Sequence, residues 1–375
     1  MIVPAKEMES RWRLIRDTLD RAELTGLLVF CNQLCLEPIH YLANYALLGE
    51  RAFACLGPEG EPVLFISEKW DQERVMKEVA LQDVRVLGQS WPQEVATVLK
   101  SGGGHLGIAG REFMHPLELN ALEAAIGKDM VSATRLLEDM ATTKSPYELN
   151  LIRESSEMAD AGFMQALEVL REGVTDYELV AEIDHVMRKM GATDNFQMIA
   201  VGKDNTGMSL PCGKKVERGD LLLFEITPAN GSVTYSAQLC RTVIFGEPPG
   251  QLLREKYALL IDALRESLAV IRPGVQLNEV TKIQNKVIGE AGYADYCHPP
   301  YMRARGHGFG LGRIGLTEEA TLEFAEGMSL VVHPNQFIPE TGYLALGESI
   351  IVTETGIERL TGTESSIYEC GGVSR

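Results

Sequence analysis

The residues of this chain that could do acid–base or metal chemistry lie in segments that otherwise resemble buried strands. Glu225 follows four apolar residues, and Gln238 lies between an alanine and a leucine. The pattern predicts two strands, Leu221–Ile226 and Val233–Thr242, joined by a turn that contains an Asn-Gly pair. A carboxylate is costly to bury unless a partner stabilises it, so Glu225 indicates a functional site.

Three later strand-like segments also carry polar side chains that such segments rarely contain. They are residues 305–310 with His307, residues 330–334 with His333, and residues 346–352 with Glu348. Imidazoles and carboxylates are common general acids, general bases and metal ligands. The four segments together predict one site built on a sheet.

The bulk composition limits the classes of function. The 375 residues are enough for two domains with separate cores, and 45% hydrophobic with 23% charged residues is ordinary for a globular protein. A formal net charge of −18 argues against a nucleic-acid partner, because phosphate binding depends on lysine and arginine. We expect no membrane partner, since no apolar run reaches the roughly 18 residues of a membrane span.

The cysteines and the N-terminus indicate the compartment. The seven cysteines are scattered and include no Cys-x-x-Cys pair, which is unlike a disulfide framework or a zinc ribbon and fits a reducing environment. The first residues are charged and lack an apolar signal core. The sequence therefore predicts a cytoplasmic protein.

Residues 1–134 alternate between strand and helix patterns, which predicts an α/β domain. The predicted helices are residues 5–24, 39–45, 69–78, 92–99 and 116–126, and the predicted strands are residues 26–30, 52–56, 62–66, 84–87 and 105–109.

The second predicted domain, residues 135–375, opens with a helix-start signal. Ser145 is a candidate N-cap, a proline occupies the first helical position, and Glu148 completes a capping box. Two long helices are predicted to follow, at residues 146–171 and 176–190.

An internal repeat runs through this second domain. Gly173 and Gly191 recur as Gly274 and Gly292, 101 residues later in both cases, and each pair encloses a helical pattern. A unit that occurs twice indicates a duplicated domain. We expect two related α-α-β-β halves whose sheets join at a pseudo-twofold.

With this organisation, the chain resembles the creatinase, aminopeptidase P and prolidase family over nearly its whole length. The resemblance implies an N-terminal α/β domain and an α+β C-terminal domain of the pita-bread type, a duplicated ααββ unit. The motifs that carry the resemblance are Lys144–Glu148, Val216–Asp220, Arg241-Thr242, Gly306–Gly310 and Glu348.

Peptidases of this family hold two metal ions with Asp, Asp, His, Glu and Glu, in chain order. The resemblance places at those positions the residues Glu225, Gln238, His307, His333 and Glu348, so only the third and the fifth are kept. A neutral amide would bridge two dications poorly, and a two-metal site is not expected. One alternative is a single zinc, iron or manganese ion on Gln238, His307, His333 and Glu348. The other is a metal-free site, as in creatinase.

In the metal-free alternative, His333 and Glu348 act directly as acid and base. The strand that ends at His333 and the strand that begins at Glu348 are predicted to be adjacent and antiparallel, with their side chains within about 5 Å at Cβ. A neighbouring carboxylate favours the imidazolium and burial opposes it. We therefore expect His333 to titrate near neutral pH and to protonate a leaving nitrogen.

The same resemblance suggests roles for further residues. Ser209 lies nearest the place where the peptidases carry a substrate-contacting histidine. Arg51 resembles a creatinase arginine that reaches the partner subunit's site and holds a substrate carboxylate. Cys240 lies two residues from Gln238, where creatinase has a functional glutamate, and is either a reactive thiol or a buried strand residue. His298 would line the mouth of the site.

The altered ligand positions favour a creatinase-like enzyme over a peptidase. We expect a homodimeric hydrolase of a C–N bond in a small amide or amidine that bears a carboxylate, as in creatinase and ectoine hydrolase. The alternatives are a dimethylsulfoniopropionate-lyase-like lyase, an Xaa-Pro metallopeptidase and a non-catalytic binding protein of the same fold. The identity of the substrate is not determined by these patterns.

Overall fold

The computed structural model describes residues 3–79, 81–99, 104–127, 130–231 and 235–371. The chain divides into two compact units, Met1–Thr142 and Thr143–Arg375. The last helix of the first unit, Thr134–Thr142, spans the expected start of the second domain at residue 135. None of the helices in the described ranges has the length and apolar character needed to cross a membrane.

The first unit is a six-stranded mixed sheet with helices. The helices are α1 (Ala5–Arg21), α2 (Glu37–Ala43), α3 (Gln72–Glu78), α4 (Trp91–Leu99), α5 (Pro116–Ile126) and α6 (Thr134–Thr142), and the strands are β1 (Leu24–Asn32), β2 (Arg51–Leu56), β3 (Val63–Ile66), β4 (Val84–Val86), β5 (His105–Ala109) and β6 (Met130–Ser132). The strand order is β4-β3-β2-β1-β5-β6, and β1 pairs with β2 antiparallel and with β5 parallel.

Helix α1 shows why the helical spacing of the sequence was informative. Its apolar face, which includes Met8, Trp12, Ile15 and Leu19, is buried. The indole Nε1–H of Trp12 donates a 2.8 Å hydrogen bond to the carbonyl oxygen of Leu42, so this polar group on the buried face is paired.

The second unit has two four-stranded sheets and one short hairpin. The sheets run β16-β9-β8-β7 and β10-β11-β14-β15, and β12 pairs with β13. The helices are α7 (Pro146–Val169), α8 (Asp176–Lys189), α9 (Gln251–Leu268) and α10 (Asn278–Ile288), and the strands are β7 (Asp194–Gly202), β8 (Leu221–Ala229), β9 (Leu239–Phe245), β10 (Gly306–His307), β11 (Ser329–Val332), β12 (Gln336–Ile338), β13 (Gly342–Leu344), β14 (Glu348–Val352), β15 (Ile357–Arg359) and β16 (Tyr368–Cys370).

The repeated glycines occupy equivalent backbone conformations in the two halves. Gly173 and Gly274 have φ of +78° and +84°, and Gly191 and Gly292 have φ of +105° and +96°. A Cβ disfavours these left-handed conformations, which explains why the repeat keeps glycine there. Each half consists of a helix pair and a four-stranded sheet, so the predicted fold class is confirmed.

Each sheet uses one face for a hydrophobic core. In the first half, Leu222, Phe224 and Ile226 of β8 pack in one core with residues of α7 and α8. In the second half, Leu330, Val332, Ile350 and Val352 pack in one core with residues of α9 and α10. Because side chains alternate along a strand, residues between these positions point to the opposite face. We call that opposite face the inner face.

The two sheets meet at a seam between Cys240 and Gly347. Their backbones exchange hydrogen bonds of 3.3 and 3.0 Å. Two residues from that contact on each strand, the Ser349 hydroxyl accepts a 2.8 Å hydrogen bond from the Gln238 backbone N–H. The same hydroxyl donates a 2.9 Å hydrogen bond to the Gln238 carbonyl oxygen. Strand β9 begins at Leu239, later than the predicted strand Val233–Thr242, and residues 233–234 of that prediction lie outside the described ranges.

Candidate active site

Glu225 lies on the inner face of β8, in the middle of the first sheet. It pairs with Met198 of β7 on one side and with Cys240 of β9 on the other. Burial raises the pKa of Glu225 to about 7, and hydrogen bonding by Gln238 and Cys240 only partly offsets that effect. Glu225 therefore changes charge near neutral pH, which suits a general acid or base.

Gln238 and Cys240 share the inner face, because they are two residues apart. The Gln238 side chain is 3% exposed, and its Oε1 has no hydrogen-bond partner among the described residues. The Cys240 thiol donates a weak 3.9 Å hydrogen bond to Glu225 Oε2. Burial and the neighbouring Glu225 raise the pKa of Cys240 well above its ordinary value. The thiol stays protonated at neutral pH, so the geometry supports a buried strand cysteine more than a reactive one.

His307 and His333 lie close together, with ring centroids 5.6 Å apart. Nδ1 of His307 is 3.0 Å from the carbonyl oxygen of Gly308, so a hydrogen bond there places its proton on Nδ1 and leaves Nε2 as an acceptor. Burial is the main cause that lowers the pKa of both histidines, to about 3 for His333. The structure therefore contradicts the expectation that His333 titrates near neutral pH.

The environment of His333 explains the difference. A neighbouring carboxylate was expected to stabilise its imidazolium, but burial dominates, and His307 lowers the pKa further. The strands β11 and β14 are indeed adjacent and antiparallel, and Val332 lies opposite Glu348. His333 lies one residue beyond that pair, so the two side chains point to opposite faces.

Glu348 points away from the inner face, toward the side of Arg241. Its Oε1 accepts hydrogen bonds from Arg241 at 2.8 Å and from the Ser365 hydroxyl at 2.5 Å, and Arg359 lies 3.3 Å away. Arg241 adjoins Cys240 in β9 and therefore lies on the opposite face from it. Both partners of the Arg241–Glu348 ion pair are fully buried. The structure does not bring Glu348 to the predicted site.

Gly347 occupies the inner-face position next to Glu348. A Cβ built on Gly347 would lie 2.8 Å from Cys240 Sγ and 3.2 Å from His333 Cβ. Both distances are shorter than ordinary contacts, so the seam leaves no room for a side chain there. The structure thus places Glu225, Gln238, Cys240, His307 and His333 on one face, and Glu348, the fifth predicted ligand, is not among them.

Arg51 lies in the first unit, at the start of β2, and has partners of its own. Its guanidinium is 2.8 Å from Glu118 and lies over the ring of Trp91, 5.5 Å from the centroid. These contacts hold the side chain in place. The role of Arg51 toward a partner subunit stays a prediction.

Ser209 and His298 lie in loops of the second unit. Ser209 is exposed, and its backbone and hydroxyl bond Ile199 of β7, at 2.9 and 3.3 Å. His298 is exposed, and its Nδ1 lies 3.4 Å from Glu318. Their predicted roles in substrate binding stay predictions.

Two residues that shape the site did not appear among the predicted site residues. Arg241 fixes Glu348, and its Nη1 also donates to the carbonyl oxygens of Cys240 and Gly347, at 2.8 Å in both cases. The sequence contained a signal for Gly347. Glu348 lies two and four residues before Ile350 and Val352, which face the core, so strand alternation places Glu348 on their side of the sheet and Gly347 on the inner face. Alternation alone would have assigned Glu348 to the core side.

Comparison with known proteins identifies the family. Residues 150–354 match the family model described as Metallopeptidase family M24. The chain belongs to metallopeptidase family M24. The Xaa-Pro dipeptidase of Pyrococcus furiosus is 29% identical over 272 residues, which is 70% of this chain and 75% of that protein. The chain is thus a member of a hydrolase family of peptidases.

Solved structures of M24-type peptidases share the fold. An Xaa-Pro dipeptidase from Bacillus anthracis superimposes with a TM-score of 0.83 at 24% identity, covering 96% of this chain and 99% of that one. A zinc-substituted Escherichia coli aminopeptidase P in complex with product gives a TM-score of 0.77 at 18% identity, covering 96% of both chains. The expectation of a creatinase-like, non-peptidase C–N hydrolase is wrong, because the relatives are named dipeptidases and prolidases.

The inner face does not fit the two metal ions expected of an M24 metallopeptidase. Of the five residues gathered there, only Glu225 can supply a carboxylate, and Gln238 is a neutral amide that would bridge two dications poorly. Within the described ranges, no three His, Cys, Asp or Glu side chains are arranged to hold a metal ion. The single-ion set of Gln238, His307, His333 and Glu348 is not assembled either, since Glu348 faces Arg241.

Proposed function

We propose that this protein hydrolyses a short peptide, as the names of its Xaa-Pro dipeptidase relatives suggest. The observation that carries the proposal is Glu225, a half-buried carboxylate in the first sheet beside the seam, whose pKa is about 7. A group with this pKa can accept a proton from water and return it at neutral pH. A dipeptide also bears the carboxylate that was expected of the substrate.

The residues of the inner face suggest the order of proton transfers. Glu225 in its ionised form would take one proton from a water molecule whose oxygen attacks the peptide carbonyl carbon. The same carboxyl group would then give that proton to the peptide nitrogen as the C–N bond breaks. The neutral imidazoles of His307 and His333 would orient water or substrate by hydrogen bonds. This order uses only groups that the structure brings together.

Peptide binding without turnover is the second candidate function. The observation that favours it is the charge of the inner face: Glu225, Gln238, His307 and His333 are neutral or anionic. None of these four is a cation that could stabilise the oxyanion formed when water attacks an amide. A member of the family that kept the fold but lacks the carboxylates that bridge two metal ions would still bind a peptide.

One experiment separates the two functions. The purified full-length protein is incubated with alanylproline, methionylproline and the matched Xaa-Ala dipeptides, with EDTA or with added manganese, zinc or cobalt, and released amino acids are quantified. Hydrolysis in EDTA that Glu225→Gln reduces by about 10²–10⁴-fold would support the proposal. The exposed Glu217→Gln variant, from the loop before β8, is the control and should retain normal turnover.

Two results would contradict the hydrolase proposal. Binding of the dipeptides with no product would establish the second candidate instead. Turnover that is unchanged in Glu225→Gln would remove Glu225 from the mechanism.

A further inference from the structure

The inner face carries two buried hydrogen-bond acceptors that lack a partner among the described residues, with further acceptors beside them. Gln238 Oε1 and His333 Nδ1 are both buried and unpaired among the described residues. Nε2 of His307 is an acceptor when Nδ1 donates to the carbonyl oxygen of Gly308. Glu225 adds the acceptor oxygens of a carboxylate. Unpaired buried polar atoms are costly, so such a cluster is unusual unless a ligand satisfies it.

Charge decides which ligand suits this cluster. Two divalent metal ions carry four positive charges, whereas the five inner-face residues gathered at the seam include one ionisable carboxylate, Glu225. Glu348, the other carboxylate predicted for this site, is already neutralised by Arg241 on the opposite face. A single carboxylate balances one monovalent cation.

Shape leads to the same conclusion. The close contact of Gly347 with Cys240 and His333 excludes a ligand side chain at position 347 on this face. The thiol of Cys240 occupies the space beside Glu225, where it donates a weak hydrogen bond to the carboxylate. The side chains of Glu225, His307 and His333 keep partial exposure, so a ligand can reach them from solvent.

We propose that this acceptor cluster binds a protonated organic amine, and that it does so in place of a pair of divalent metal ions. An alkylammonium group has three N–H donors and one positive charge. Those donors match one oxygen of the Glu225 carboxylate, the Gln238 amide oxygen and an imidazole nitrogen, and the second carboxylate oxygen remains for the proton transfers proposed above. The proposal rests on the same site as the proposed hydrolase and identifies the free amino group of a peptide as the group recognised there.

Binding is measured separately from turnover. The probes are butylammonium chloride, with butan-1-ol as its neutral counterpart, and alanylproline, with N-acetyl-alanylproline as the blocked counterpart. Each is titrated by calorimetry and by thermal shift at fixed ionic strength and pH 8 in EDTA. We expect binding of both amines, with the neutral and blocked counterparts at least tenfold weaker. Equal binding within each pair, or no binding of either amine, overturns the proposal.

Two variants test the assignment of residues. Glu225→Gln and Gln238→Met should each weaken alanylproline binding by about 10- to 100-fold, because each removes a hydrogen bond to a charged group. Melting curves show whether each variant is folded, and Glu217→Gln should bind like the wild type. Unchanged affinity in both folded variants overturns the proposal.

Metal titrations test whether the site binds divalent metal ions instead of an amine. Manganese, zinc and cobalt chlorides are added one at a time to chelator-treated protein, and bound metal is counted by elemental analysis after desalting. Two tightly bound equivalents of any of them overturn the proposal, and fewer than two support it. Selective amine binding without hydrolysis would refute only the hydrolase function, whereas hydrolysis without selective amine binding would refute only this inference.

Discussion

Glu225→Gln is expected to change how the stability of the protein depends on pH. Burial raises the pKa of the folded-state carboxyl group to about 7, from the ordinary glutamate value of 4.5. Between these two values the folded chain holds a proton that the unfolded chain has lost. Stability therefore falls as pH rises through this window, and the loss is complete above about pH 7.

The magnitude follows from the same two values. A difference of about 2.5 pH units at 1.36 kcal/mol each corresponds to roughly 3 kcal/mol. The side chain of Glu225 is half-buried, and solvent screening reduces the effect to about 2–3 kcal/mol. A glutamine has nearly the same shape and never ionises. The variant should therefore gain this amount relative to the wild type between pH 4 and pH 8.

The assay is urea unfolding of both proteins from pH 4 to pH 8 in EDTA. EDTA matters because a dication beside Glu225 would keep the carboxylate ionised and hide the pH dependence. Glu217→Gln, an exposed substitution, should follow the wild-type curve at every pH. Parallel curves for wild type and Glu225→Gln would show that Glu225 does not titrate near neutral pH, and the reasoning about its burial would fail.

Four further predictions follow from the packing and from the family. Arg241→Met should lower the free energy of unfolding by about 3–5 kcal/mol, because it leaves the buried Glu348 carboxylate without its ion-pair partner. Arg153→Met, which removes the surface pair with Glu358, should lower it by under about 1 kcal/mol, and urea unfolding of both variants measures the difference. Gly347→Ala should cost about 1–3 kcal/mol by overpacking the seam, and unchanged melting would contradict the close contact. Native-state alkylation should modify the exposed Cys212 and spare the buried Cys240, as peptide mass spectrometry would show. The homodimer stays a prediction, and light scattering that finds a monomer at working concentrations would refute it.

Local sequence signals determined much of the fold. The capping box at Ser145 and Glu148 is present, because both hydrogen bonds form between residues three apart in the chain. The repeated glycines likewise predicted the duplicated half, since each occupies a backbone conformation that its own residue type favours. Helix starts, strand alternation and turn glycines depend on neighbours in sequence, and a sequence pattern records them.

The composition of the site depended on which strand face each residue occupies. The sequence placed Glu225, Gln238, His307 and His333 together, and the structure agrees, because each lies on a strand or next to one at a position that alternation assigns to the inner face. The sequence analysis also assigned Glu348 to the inner face, whereas the residue at that position is its neighbour Gly347. A shift of one residue moves a side chain to the other face of a sheet. The predicted site therefore contained the Glu348 carboxylate at a position where the structure has a glycine.

Only the tertiary structure decided the charge states and the partners. The sequence shows that Glu225, Cys240 and His333 can titrate, but burial sets the direction of each pKa, and burial arises when two distant sheets join at the seam. The partner of Glu348 is Arg241, 107 residues earlier in the chain. Electrostatic energies depend on distance in space and on exclusion of water, and neither quantity is encoded by spacing along the chain.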